Sequence, residues 1–301
     1  MDLTPNTDQQ ALLSATADWC RDHLPLQAAR DRRQSLWSEI EAMGWLSMTT
    51  PDMGFDHSTE TLIFAELGSH LAPVSILSSA VASRWTGSAG RTALAIHDSG
   101  ESKTTVRVFD PNDTKRALGL LGSVAAITSL PTPLEASPGL DQSAPLARID
   151  PAPPSTSLRD PRAALHLQLL AAAFAVGTAE AARDMAADYA KLREQFERPI
   201  GWFQALKHMC SDMAVRSEVA RSQLLFAACA LDAASDDAVF QIASAKQLAD
   251  RAALENSRAN IQVHGGIGMT DEAYPHLFLK RAHLLSFIAP ARRAILLGEV
   301  A

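Results

Sequence analysis

The chain is short of several things at once, and each shortage removes a class of function. Its three cysteines, Cys20, Cys210 and Cys229, show no CxxC spacing and no even framework. That excludes a disulfide scaffold, and they read as small core residues in a reducing compartment. Basic residues number 27 against 34 acids, for a net charge of −7. No basic run or basic–aromatic stripe offsets that balance, which argues against a nucleic-acid surface. The histidines form no HExxH pattern and no i, i+4 pair with a carboxylate, so no metal site is expected. There is no GxSxG elbow for a serine nucleophile. Met1-Asp2-Leu3-Thr4-Pro5 has neither the basic nor the apolar region of a secretion signal. No run reads as long and apolar enough to span a bilayer. The expectation is a cytoplasmic protein with neither nucleic-acid nor membrane partners.

What is present is globular. Hydrophobic residues make up 47% and charged residues 20% of 301 positions, enough for one large domain or two modest ones. Up to residue 90 the pattern is helical: Leu12, Ala15 and Trp19, then Leu36, Trp37, Ile40 and Met43, recur at three-to-four spacing. Thr7 or Asp8 is expected to cap the first helix and Gly44 to stop the second. A third helix is expected over Thr59–Ala72, ended by Pro73, and a fourth over Val74–Ser88. Residues 91–158 change character. Thr92–Ile96, Thr104–Phe109, Leu118–Thr128 and Leu146–Ile149 are short β-rich runs broken by Asp-Pro-Asn-Asp and proline-rich links. They end in a linker-like Pro151-Ala152-Pro153-Pro154-Ser155. From 159 to 301 the helical period returns in four segments, near 161–192, 202–233, 237–263 and 274–298. Long helices with short connections predict an antiparallel four-helix bundle. The expected domains are therefore 1–90, 91–158 and 159–301.

Two breaks in that bundle carry chemistry. Residues 193–204 read Arg-Glu-Gln-Phe-Glu-Arg-Pro-Ile-Gly-Trp-Phe-Gln, and residues 262–268 read Gln-Val-His-Gly-Gly-Ile-Gly. Each lies where a helix ends and frees backbone amides beside an arginine or amide side chains, which suits a phosphate-bearing ligand. Pro199 lacks an amide and restricts Arg198. Taken singly, Gly265-Gly266-Ile267-Gly268 is a helix cap and turn, Arg193–Phe196 a solvated helix end, and His264 a structural hydrogen-bonding residue.

Together, in this order and separation, the two segments resemble the C-terminal half of the acyl-CoA dehydrogenases. Leu36-Trp37, Trp45-Leu46 and Glu66-Leu67-Gly68 through Leu71-Ala72-Pro73 resemble that family's N-terminal helical domain. The resemblance implies a mostly α chain with the acyl-CoA dehydrogenase fold: an N-terminal helical domain, a shortened middle β domain and a C-terminal four-helix bundle. It implies FAD, shared with a neighbouring subunit, and an acyl-CoA substrate. The residues it assigns to the pyrophosphate and adenosine end are Arg193, Gln195, Phe196, Phe203 and Gln204, with Gln262, Val263, His264, Gly265 and Gly266. Glu197 replaces the family's usual glycine.

The same resemblance exposes an absence. The family abstracts an α proton with a carboxylate while hydride leaves the β carbon for flavin N5. Its two usual base positions fall here at Ala289 or Pro290 and at Leu167, and no acid occurs between Asp160 and Glu180. The family's Thr-Glu-x-x-x-Gly-Ser and Trp-(Ile/Val)-(Thr/Ser) strands, which cradle the isoalloxazine, are missing from 92–158 as well. These losses resemble the short chain of the heteromeric α2β2 bacterial acyl-CoA dehydrogenases that act on steroid side chains and similar bulky acyl groups. There a second subunit carries the glutamate and the flavin-cradling middle domain. Such a chain has no catalytic residue of its own and is inactive alone. Two alternatives stay open at this point. One is a homo-oligomeric relative doing other chemistry or acyl binding, with His166, His264 or Glu197 recruited as base. The other is a structural subunit without flavin.

Overall fold

The computed structural model describes residues 3–32, 36–87, 90–97 and 105–299. Its opening section forms α1 (Thr7–His23), α2 (Leu36–Ala42), α3 (His57–Ser69) and α4 (Ser75–Thr86). Asn6, not Thr7 or Asp8, caps α1. Its side chain accepts from the Gln9 amide while the Gln9 side chain accepts from the Asn6 amide, a reciprocal capping box. Gly44 does stop α2, at φ 76°. The expected ends of the fourth helix at Ser88 and of one strand at Thr104 lie outside the described residues.

Seven strands follow: β1 (Ala93–His97), β2 (Val106–Phe109), β3 (Arg116–Leu121), β4 (Val124–Ser129), β5 (Ala136–Ser137), β6 (Leu146–Ile149) and β7 (Ser155–Ser157). The sheet order is β5-β6-β2-β1-β3-β4-β7, antiparallel except for the β1–β3 pair. Two readings need correction. Leu118–Thr128 is two strands, because Gly122 at φ 66° turns the chain between them. The linker-like segment runs into β7, which closes the sheet edge against β4. The sheet is buried on both faces. Leu94, Ile96 and Leu118 join the helical core, while Ala93, Ala95, Val106, Val108 and Ala117 lie beneath Leu130, Leu134 and Ile149.

The bundle consists of α5 (Arg162–Leu192), a two-residue pair of strands β8 (Glu194–Gln195) and β9 (Arg198–Pro199), then α6 (Gln204–Asp232), α7 (Ala238–His264), α8 (Pro275–Phe287) and the short α9 (Arg293–Leu296). The last long helix stops at Phe287 instead of reaching 298. Pro290 supplies no amide and disfavours helical geometry at Ala289, whose φ is +45°. By length and composition α5 does pass the test for a membrane span, with a mean hydropathy of 1.3 in an 18-residue window, contrary to the sequence reading. The reason is its place in the fold: 89% of that window is buried as the central core helix. There α5 meets α3 backbone to backbone. A Cβ on Gly177 would sit 1.8 Å from the Ala65 carbonyl oxygen, and one on Gly68 2.5 Å from that of Phe174. Ala171, Ala172, Ala173, Ala175 and Ala179 of α5 are all fully buried, so small side chains let its neighbours pack close around it.

Candidate functional site

The two broken-helix segments meet at one end of the bundle. Ala186 and Ala190 of α5, Met213 of α6 and Val263 of α7 form a buried cluster, with Tyr189, Ile200, Leu206 and Met209 packed against it. Arg193 leaves α5 in extended geometry, its amide still bonded to the Tyr189 carbonyl at 2.8 Å. Its own carbonyl accepts from the Ile200 amide at 2.7 Å, which closes the β8–β9 hairpin at its base. The register pairs Glu194 with Pro199 and Gln195 with Arg198. Alternation along the strands therefore puts Arg193, Gln195 and Arg198 on one face and Glu194 on the other.

Phe196 and Glu197 form the hairpin tip, at φ 55° and 60°. Two left-handed residues in a two-residue loop are the signature of a type I′ turn, which favours glycine in its second place. The Phe196 ring is 81% exposed and meets the Phe203 ring edge-on at 6.0 Å. A glutamate at φ 60° carries a Cβ penalty. Glu197→Gly is expected to stabilise the chain by up to about 1 kcal/mol, less what is lost to a more flexible unfolded chain. Urea unfolding of the two proteins measures it.

At the facing helix end, Gly265 holds φ 66° and ψ −146°, a combination open in practice to glycine alone. Gly265 and Gly266 have open space where a side chain would be, whereas a Cβ on Gly268 would meet Ile261 and His264 at 2.9 Å. The first two leave backbone approachable, and the third is packing. The His264 ring stacks on Tyr189 at 4.0 Å. Its Nδ1 lies 2.9 Å from the Asn260 carbonyl, which can only accept, so Nδ1 carries the proton. Burial lowers the His264 pKa and keeps the ring neutral, against a smaller opposing effect of that hydrogen bond. The side chains of Arg193, Gln204 and Gln262 are exposed, with no hydrogen bond or ion pair among the described residues. Val263 differs. Its side chain is buried in the cluster that joins the segments, so it serves packing and offers a ligand backbone only.

At the other end of α5 the two expected base positions come together. Leu167 is 1% and Ala289 4% exposed, in the same apolar cluster. The side-chain amide of neighbouring Gln168 donates to the carbonyls of Ala289 at 3.0 Å and Pro290 at 3.1 Å. Lys246, fully buried on α7, binds Asp250 and donates to the Leu285 carbonyl at 3.1 Å, which holds the end of α8. No carboxylate stands at either position.

Residues 163–289 match the model of the acyl-CoA dehydrogenase C-terminal domain. Over the whole length, the chain is 30% identical to the acyl-CoA dehydrogenase IpdE2 of Mycobacterium tuberculosis, covering 98% of this chain and 96% of that protein. The chain belongs to the acyl-CoA dehydrogenase family. Two solved structures share its fold. One is a variant of the Tcur3481–Tcur3483 steroid ACAD, with a TM-score of 0.82 at 22% identity over 97% of this chain and 96% of that one. The other is the ChsE4–ChsE5 complex of Mycobacterium tuberculosis, with a TM-score of 0.75 at 20% identity over 95% and 94%.

This acyl-CoA dehydrogenase family member also holds a buried polar cluster that its sequence hid. Trp85 Nε1 donates to His166 Nδ1 at 3.1 Å, so the His166 proton sits on Nε2 and is donated to Glu60 Oε2 at 2.7 Å. His57 packs edge-on against the His166 ring at 4.7 Å and pairs through Nδ1 with Asp232 at 2.8 Å. Ligand-type atoms of His57, Glu60 and His166 lie within 4.8 Å of one another. A metal on His166 Nε2 would move the proton to Nδ1, against the Trp85 N–H. The tautomer thus favours a hydrogen-bond chain over a ligand set. Sequence spacing gave no hint of it, since Glu60 and His166 are 106 residues apart. It also missed Glu66 and His70, which do pair at i, i+4, 3.3 Å apart.

Burial pushes the His166 pKa down, only partly offset by Glu60. A depressed histidine means that the unfolded chain takes up its proton first as pH falls. Stability from this group is whole above the ordinary histidine value of about 6.5 and declines below it. Between pH 7.5 and 5.5 the unfolding free energy is expected to fall by about 1 kcal/mol on this account. His166→Gln, which can still accept from Trp85 and donate to Glu60, should flatten that part of the slope in denaturation curves at the two pH values.

Proposed function

We propose that the chain is the subunit without a catalytic base in a heteromeric, FAD-dependent acyl-CoA dehydrogenase. Its partner would be a second family chain bearing the glutamate and the flavin-cradling middle domain. The observation that carries this reading is the filling of both base positions: Leu167 and Ala289 lie in one dry core, tied down by Gln168. A buried leucine and alanine accept no proton, so the acid–base half of the reaction has to come from another chain.

The opposite end of α5 supports the other half of the proposal. The side chains of Arg193, Gln204 and Gln262 have no partner among the described residues, and Gly265 and Gly266 leave room for close backbone approach. Those groups fit the pyrophosphate and adenosine end of FAD: a guanidinium for a phosphate oxygen, amides for the ribose and adenine, and glycine backbone without a side chain in the way between them. When bound, FAD would supply a hydride acceptor for the β carbon of the thioester. This chain's residues would bind and orient the dinucleotide, and exposed Leu192 and Phe196 around the site would meet the partner. A bulky acyl-CoA of steroid side-chain type is the favoured substrate class. His166 is fully enclosed and already doubly hydrogen-bonded, which argues against its service as a replacement base.

The test is co-expression with an acyl-CoA dehydrogenase chain that carries the family's glutamate and middle domain, from the same genome. A yellow complex that oxidises acyl-CoA, with a colourless and inactive single chain, is the expected result. Full flavin occupancy and turnover in the single chain would overturn the proposal, and so would a colourless complex.

A further inference from the structure

Arg193 is one cation, and the pyrophosphate of a dinucleotide carries two negative charges. The hairpin that presents it also holds Glu194 and Glu197, so one arginine leaves the charge unbalanced. Two further cations stand on the same structure. The Arg198 guanidinium lies 5.5 Å from the centre of the Trp202 ring and the Lys207 ammonium 5.7 Å from it. All three residues are exposed, Trp202 at 63%. Neither cation has a carboxylate partner among the described residues. Two long, flexible cations gathered on one ring and left unneutralised are arranged for an anion, because the ring limits their freedom without cancelling their charge.

Register tells which anion. Arg198 pairs with Gln195 across the hairpin and shares a face with Arg193, while Glu194 is turned to the other side. Lys207 stands in the first turn of α6, one turn beyond Gln204. Both therefore flank residues already assigned to the phosphate-bearing end of FAD.

We propose that Arg198 and Lys207, held over Trp202, form a second cationic contact for the dinucleotide phosphates beside Arg193. Trp202 is a positioning residue in this arrangement, and the inference rests on the FAD-binding reading above.

The experiment uses the two-chain complex, stripped of flavin and titrated with FAD and separately with ADP, which keeps the adenosine pyrophosphate and lacks the isoalloxazine. Arg198→Gln and Lys207→Gln should each weaken both ligands about tenfold, with a steeper loss as salt rises in the wild type than in either variant. Trp202→Leu should match one of these losses and Trp202→Phe should restore affinity, which a merely structural tryptophan would not require. Association of the two chains without nucleotide, followed by sedimentation, should not change. Unaltered FAD and ADP affinity overturns the inference. Weakened chain association does so too, because the cations then serve carboxylates of the partner. If the wild-type complex itself retains no FAD, the functional reading fails first.

Discussion

Replacing Arg193 by glutamine is expected to weaken FAD retention by the two-chain complex about ten- to a hundredfold and to leave folding untouched. A charge-assisted hydrogen bond to a phosphate is worth about 1.5–3 kcal/mol, which is that range of affinity. Folding should not notice, because the structural duties at this position belong to the backbone. The Arg193 amide caps α5 and its carbonyl closes the hairpin, while the exposed guanidinium has no partner among the described residues. Flavin release by equilibrium dialysis and urea unfolding of the single chain separate the two outcomes. A lowered unfolding midpoint with unchanged FAD retention would make Arg193 a structural residue and remove the main contact from the proposed site.

That separation of backbone duty from side-chain duty explains what the sequence made legible. The breaks at Pro199 and at Gly265–Gly266 were readable because they rest on local chemistry, a missing amide and a conformation reserved for glycine. The helical period and short connections supplied the bundle, the family resemblance agreed with it, and the fold follows both. Where the reading slipped, the cause was tertiary or was a local signal left unweighed. Pro290 was considered as a base position, although its effect on the preceding helix already shortened α8. Apolar α5 looks like core or membrane according to what covers it, and the helices α7, α3, α6 and α8 packed around it decide that. The Glu60–His166 pair joins residues far apart in sequence, with Trp85 fixing the tautomer. Trp202 gave no signal at all, since its meaning lies in the two cations laid over it.

The second large effect concerns the missing base itself. Ala289→Glu would restore the family's residue at one of its usual positions, yet it is expected to yield no turnover in the single chain and to cost about 3 kcal/mol of stability. The backbone there already sits at φ +45°, which a glutamate tolerates no better than alanine. The surroundings are Leu167 and the apolar cluster, and the side chain bonded to this segment's carbonyls among the described residues, Gln168, points its donor N–H groups at Ala289 and Pro290. A carboxylate placed among them loses water without gaining a hydrogen-bonding site built for it, so it takes up a proton or pushes the segment outward. Either response defeats a general base, which has to be both ionised and fixed beside the α carbon. Leu167→Glu should fail in the same way from the α5 side. Assay of both variants with an acyl-CoA and an artificial electron acceptor, beside their unfolding curves, gives the answer. Turnover in Ala289→Glu would mean that the position opens onto a working substrate site, and that the chain lost its base without losing the pocket. Reduced stability, beside the lack of turnover already expected of a chain without flavin, would mean that the core has grown over that position, so that proton abstraction belongs to the partner for reasons of packing as well as of sequence.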